Sequence, residues 1–204
     1  MAYNWAKLWA NSVTFTLVQG EGIVLGRHSS NSPHKGRWVG CGATYLDGSD
    51  IVRGPGLAMT VWYSDNEGRN YSFAGGALPF KGIGECQAVE LTNGSVMVNA
   101  RNEKTGCPNF QGCKQHHRLY AISNDGGTTF TGIIVESRPT PLMSLRMCTN
   151  TASSAAPQFA VDLPEPICSA GLINHRGTLY FSNPDSVSER THMTLKKSTD
   201  SGNR

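Results

Sequence analysis

Residues 84–101 read Gly84-Glu85-Cys86-Gln87-Ala88-Val89-Glu90-Leu91-Thr92-Asn93-Gly94-Ser95-Val96-Met97-Val98-Asn99-Ala100-Arg101. Gln87 to Leu91 alternates, and so does Val96 to Ala100. Asn93-Gly94 between them is a strong tight-turn signal, so the stretch predicts strand, two-residue turn, strand. Antiparallel pairing returns Glu85, at the start, and Arg101, at the end, to the same sheet edge. An acid and an arginine at one edge have two readings, a functional site or an ordinary surface ion pair.

Working outward, the same plan recurs. Gly22 to Gly26 turns through Ser32-Pro33-His34-Lys35-Gly36 and returns as Arg37 to Gly42. Leu57 to Tyr63 then runs into Ser64-Asp65-Asn66-Glu67-Gly68. The opening hairpin is followed by His117 to Ile122, by Ser123-Asn124-Asp125-Gly126-Gly127-Thr128-Thr129-Phe130, and by a strand at Gly132 to Glu136. A third unit runs from Cys168 to Ile173, turns at Asn174-His175-Arg176-Gly177, returns as Thr178 to Ser182, and reaches Ser198-Thr199-Asp200-Ser201-Gly202. Units of about four short strands at this period predict a β-propeller with one unit per blade.

The expected blades are residues 20–80, 84–137 and 165–204. Proline-rich residues 138–164 form an insertion between the second and third. A ring takes about four to eight blades, so the three here read as part of a longer propeller. In each Ser-x-Asp/Asn-x-Gly turn, the side-chain oxygens can accept from or hold the backbone N–H groups of the turn, and the glycine takes a conformation other residues resist. The aromatic that follows packs inward. Trp38 and Trp62 are expected in the core. Val13 to Leu17, after Trp5 and Trp9, reads as a further strand.

Composition excludes several classes. Charged residues are 16% of the 204, against 23 glycines and 10 prolines, which suits an all-β chain rich in turns. The net charge of +3 is scattered, with no basic patch for nucleic acid. No apolar run reaches the ~18 residues of a membrane span. Of the six cysteines, Cys107 and Cys113 flank a short loop and could pair, while Cys41, Cys86 and Cys168 read as buried thiols. Cys107 and Cys113 with His116 and His117 lack zinc-site spacing, so no metal or cofactor is expected. Arg53-Gly54-Pro55-Gly56 is a turn rather than a phosphate loop. Asn70-Tyr71-Ser72 and Asn93-Gly94-Ser95 match the glycosylation sequon.

The Ser-x-Asp-x-Gly turns resemble the Asp boxes of the sialidase (neuraminidase) family. Glu85-Cys86-Gln87, Asn93-Gly94-Ser95 and Asn99-Ala100-Arg101 resemble the segment of that family with its active-site glutamate and second arginine. Phe181-Ser182-Asn183-Pro184, with Arg190 and Met193-Thr194-Leu195, resembles the segment with its third arginine. Lys35-Gly36-Arg37 leading to Cys41-Gly42 also fits. The likeness covers roughly residues 20–202, is greatest toward the animal lysosomal members, and lapses in the insertion.

The resemblance implies a six-bladed propeller that removes terminal α-linked sialic acids from glycoproteins, glycolipids and oligosaccharides with retention. It implies a sialylated glycan as partner, a lysosomal or secretory location, and a protector protein as in some of the family. Three arginines grip the sugar carboxylate, of which Arg101 and Arg190 match two; guanidinium is always charged and binds carboxylate bidentately. The nucleophile is a tyrosine, an exception among glycosidases. A neutral phenol is not repelled by the substrate carboxylate, but it needs a carboxylate to take its proton, the place that Glu85 matches. The family's aspartate acid/base, first arginine and tyrosine have no counterpart here, so the isolated chain is expected to be inactive. The alternatives are a lectin-like sialic-acid binder without catalysis and an Asp-box scaffold for protein contacts.

Overall fold

The structure is a computed structural model and describes residues 22–45, 57–76, 80–81, 83–102, 117–131 and 158–202. Every element among them is a strand: β1 (Ile23–Val24), β2 (Trp38–Tyr45), β3 (Leu57–Ser64), β4 (Ser72–Phe73), β5 (Gly75–Gly76), β6 (Phe80–Lys81), β7 (Ile83–Glu90), β8 (Val96–Asn102), β9 (His117–Ser123), β10 (Thr129–Phe130), β11 (Gln158–Pro164), β12 (Gly171–His175), β13 (Thr178–Pro184) and β14 (Met193–Ser198). They form antiparallel sheets in the orders β1-β2-β3-β4, with β6 also on β3; β11-β9-β8-β7; and β12-β13-β14. A short parallel pair, β5 with β10, ties the first sheet to the second. The all-β expectation is met. The expected strands at 13–17 and 132–136, Arg53 to Gly56, Cys107, Cys113, His116 and Cys148 lie outside the described residues.

Several expectations change. The last part of the insertion expected at 138–164 is β11, which pairs with β9 at Gln158↔Tyr120 and Phe159↔Leu119. Phe159, Val161 and Leu163 alternate as a strand should, but Pro157, Pro164 and Pro166 around them read as linker.

The opening hairpin also turns differently. Its pairs run Glu90↔Val96 to Cys86↔Ala100, and Leu91 N–H donates to Ser95 O at 2.8 Å. The loop is therefore the three residues Thr92-Asn93-Gly94, with Gly94 at φ 89°, a turn that closes on a left-handed glycine. The difference decides the site. Side chains alternate between faces, so a two-residue loop would set Glu85 opposite position 102 and send Glu85 and Arg101 to opposite faces. The three-residue loop sets Glu85 opposite Arg101. A register shift between Ile83 and Cys86 marks a bulge at Gly84–Glu85, the kind of irregularity that re-aims a side chain at a strand end.

The second sheet is buried on both faces. Cys86, Ala88, Val96, Val98, Ala100, Leu119 and Ala121 pack on Leu25, Val39, Cys41, Met59 and Val61 of the first sheet. Val89, Leu91 and Ile122 pack on Leu172, Leu179 and Phe181 of the third. This is why its strands read as nearly continuous apolar runs. Cys41 and Cys86, expected as separate thiols, form a disulfide between β2 and β7 with Cα atoms 6.0 Å apart. Cys168 is free and half-buried. Trp62 lies against Gly40. Trp38, expected in the core, is 40% exposed and lies over Gly68 of the first turn.

The three Ser-x-Asp/Asn-x-Gly turns share one hydrogen-bond plan. The serine hydroxyl donates to the residue two places on (Ser64 to Asn66, Ser123 to Asp125, Ser198 to Asp200). It also accepts the N–H of the glycine four places on, at 2.7–2.8 Å. All three turns lie at one rim, and polar side chains stitch that rim together. Buried Arg37 bonds Asp65 of the first turn and Thr128 of the second. The Glu90 carboxylate accepts Gly26 N–H and His28 N–H, while its own carbonyl accepts from Asn174. The opposite rim is left for other work.

Candidate active site

Antiparallel order gathers at that opposite rim the start of β7, the end of β8, the start of β9, the end of β11, the start of β12 and the β13–β14 loop. Glu85, Arg101 and Arg118 lie one step beyond the Cys86↔Ala100 and Ala100↔Leu119 pairs, in one row across three strands. The row ends in a second acid, Glu165, directly after β11.

Glu85 and Arg101 face each other, with Glu85 Oε2 3.0 Å from Arg101 Nη1 and side chains 22% and 18% exposed. The pair is open enough to meet a solute, and sheltered enough to matter electrostatically. Ser169 Oγ also donates to Glu85 Oε2.

Arg118 and Glu165 are an ion pair at 2.7 Å with each side chain 1% exposed. Most of their remaining hydrogen-bonding capacity is used, though Arg118 Nη2 is buried without a partner among the described residues. Glu165 Oε1 accepts Asn102 N–H at 2.6 Å, and Arg118 donates to Asn99 Oδ1 and Cys168 O, each at 2.8 Å. The guanidinium lies 6.0 Å from the centre of the Phe181 ring, which covers it from the third sheet. Burial pushes the Glu165 carboxyl above its ordinary value, against the pull of Arg118 and of Asn102 N–H. Burial likewise lowers Arg118, against the attraction of Glu165. Desolvation is the larger influence on both.

Between β11 and β12 runs a strap, residues 165–170, with no regular structure. It holds Glu165, gives Cys168 O to Arg118, and presents Ser169 to Glu85. Asn183 Nδ2 fastens its entrance at Pro164 O, 2.6 Å away. Arg190, in the exposed β13–β14 loop, donates from Nη2 to Ile167 O of the strap at 2.9 Å.

Of the residues singled out by sequence, Glu85 and Arg101 are thus in direct contact, and Arg190 stands on the same rim, joined to the strap two residues from Ser169. Sequence reading missed Arg118, Glu165 and Ser169. One signal was available: Arg118 shares a face with Tyr120 and Ile122 in an otherwise apolar strand, and an inward charge demands a partner. Among the described residues no group of His, Cys, Asp and Glu is arranged to hold a metal ion, and no helix is long and apolar enough to cross a membrane.

No family model matches the chain. A curated relative, a sialidase from Micromonospora viridifaciens, is 29% identical over an alignment of 196 residues that covers 91% of this chain and 23% of the relative. Many solved structures are similar in shape. The Hadza microbial sialidase Hz136 has a TM-score of 0.57 and 24% identity, over 90% of this chain and 28% of that one. The NanB sialidase from Streptococcus pneumoniae has a TM-score of 0.51 and 19% identity, over 86% of this chain and 20% of that one. The chain therefore spans roughly a quarter of the proteins it resembles. Its fold is that of the sialidase β-propellers.

Proposed function

We infer that this chain supplies half of the sialic-acid site of a retaining exo-α-sialidase, a six-bladed propeller of which it forms about three blades. The observation that carries the reading is the contact of Glu85 with Arg101 on a half-open rim that also bears the Arg190 loop. In this reading Arg101 and Arg190 bind the carboxylate of a terminal sialic acid of a glycan. Glu85 takes the proton of a tyrosine nucleophile as the phenol attacks the anomeric carbon. The tyrosine, the acid/base aspartate and the remaining arginine belong to the rest of the protein, so catalysis is a property of the whole. By the same resemblance the protein works in the lysosome or along the secretory route.

The test is calorimetric titration of the full-length protein with an aryl α-sialoside. Arg101→Ala removes a charge-assisted contact of ~1.5–3 kcal/mol, so binding weakens about 10- to 100-fold. Glu85→Gln, which keeps the shape but cannot take a proton, lowers kcat far more than it raises KM. Unchanged affinity in Arg101→Ala sinks the reading. Lost binding without any wild-type turnover leaves a sialic-acid binder.

A further inference from the structure

A buried ion pair is a poor device for stability alone, because removing two charges from water offsets much of their attraction. Arg118 and Glu165 are nevertheless fully buried, and nearly every other contact they make is to the strap or to the ladder it lies on. An independent observation points to the same segment. Ile167 has φ 56°, a left-handed conformation that a β-branched residue resists and that persists only where the surroundings enforce it. The strained residue is the one whose carbonyl receives Arg190, two places before the serine that holds Glu85.

We propose that Arg118 and Glu165 are positioning residues: they clamp the strap onto β8 and β9, and the strap in turn sets Glu85 through the Ser169 hydroxyl and Arg190 through the Ile167 carbonyl. The proposal rests on the sialidase reading for its functional meaning, but its geometry is this chain's own. Glu165 fixes the strap's first residue to Asn102 N–H, and Arg118 fixes its fourth at Cys168 O. Between those anchors the backbone is held in the left-handed turn that aims one carbonyl at Arg190. Immediately after them it presents the hydroxyl to Glu85 Oε2. Of the charged groups, Arg101 on β8 pairs with Glu85 directly, and Arg118 on β9 lies close enough to interact with it electrostatically.

Two substitutions separate positioning from a bystander charge. Glu165→Gln keeps the shape and an oxygen for Asn102 N–H but weakens the strap's anchor on Arg118, whereas Ser169→Ala leaves the anchor and removes only the hydroxyl that Glu85 accepts. If the buried pair acts through the strap, both substitutions act on the same contact and their effects do not add.

The experiment is hydrogen–deuterium exchange of the strap amides, residues 165–170, in the full-length protein, run beside kinetics with an aryl α-sialoside, for wild type, Glu165→Gln, Ser169→Ala and the double variant. In Glu165→Gln, exchange at the strap is expected to rise about tenfold or more while β7 and β8 keep their protection, and kcat is expected to fall about tenfold in both singles with little further loss in the double. Unchanged strap exchange in Glu165→Gln, or losses of kcat that multiply in the double, overturns the proposal. If Glu165→Gln does not fold, Ser169→Ala decides, since it removes one hydroxyl, and an unchanged kcat there overturns the proposal equally. Faster strap exchange in a protein that neither binds nor cleaves the sialoside sinks the sialidase reading and leaves the positioning intact.

Discussion

Replacing Arg118 by Met and Glu165 by Gln, singly and together, tests the electrostatics of the rim most directly. The two groups meet at 2.7 Å with side chains 1% exposed, so their charge centres are about 4 Å apart. At an effective dielectric of about 20 the attraction is ~4 kcal/mol. Removing one partner strands the other charge in the interior, at ~3–5 kcal/mol for either single variant. The double variant has no stranded charge, so the two losses do not add. Equilibrium chemical denaturation of the full-length protein at neutral pH is expected to give a coupling of ~3–4 kcal/mol.

Glu85→Gln with Arg101→Met is the reference cycle. That pair is 22% and 18% exposed, and its coupling is expected at ~1 kcal/mol or less. If the inner pair couples no more strongly than the outer one, burial does not strengthen the attraction of Arg118 for Glu165. The pH dependence gives a second check. Burial raises Glu165 in the folded protein, so the folded state binds that proton more tightly than the unfolded state does. The contribution of Glu165 therefore favours folding below the ordinary carboxylate range and declines as pH rises through the raised value. Glu165→Gln removes that slope. In the wild type the coupling to Arg118 fades as pH falls through the same raised value.

Two further outcomes follow from the opposite rim. Gly94 has φ 89°, and a Cβ there would sit 2.7 Å from Asn31 O, whereas Gly36, at φ 90°, has open space around it. Gly94→Ala is expected to cost ~2–4 kcal/mol and Gly36→Ala only ~1–2, and equal denaturation midpoints for the two would discount the contact with Asn31. For Asp125, burial opposes ionisation but is outweighed by hydrogen bonds from Thr129, Ser123 and Thr128, so its carboxyl lies below the ordinary value of 3.8. Its stabilisation is present above that value and is lost as pH falls through the depressed one. Asp125→Asn is expected to lower stability at pH 7 and to flatten the acid limb below about pH 4 in a pH-dependent melt.

Much of the fold was legible because its signals are local. A serine and the glycine four places on specify each turn wherever it falls in the chain. Val96, Val98 and Ala100 fall on every second residue because they share the face packed on the first sheet. The contact of Glu85 with Arg101 was legible for a related reason, since a hairpin returns its ends to one edge whatever the rest of the chain does. What the local signals left open was the exact register. Asn93-Gly94 suits a two-residue loop as well as a three-residue one, and the choice was made elsewhere. Gly94 packs on the Asn31 backbone, and Ser29 Oγ donates to Thr92 O, so the first sheet's turn holds the longer loop in place. A single residue of loop length separates an acid and an arginine on one face from the same pair on opposite faces.

The buried pair was illegible for the converse reason. Arg118 and Glu165 are 47 residues apart, and nothing near either one names the other. Glu165 lies between Pro164 and Pro166, where composition reads as linker, and the linker turns out to be the strap. The strap has no period because it makes no ladder; its conformation is set by side chains that reach it from β9, β13 and the β13–β14 loop. Such a segment can hold a left-handed isoleucine because its neighbours, and not its own sequence, determine its path. The groups on the rim therefore divide by how they are specified. Glu85 and Arg101 are fixed by strand pairing, which sequence encodes within a few residues. Ser169 and the acceptor for Arg190 are fixed by one buried charge pair, so a substitution at Arg118, beneath Phe181 and far from solvent, bears on the chemistry of the surface.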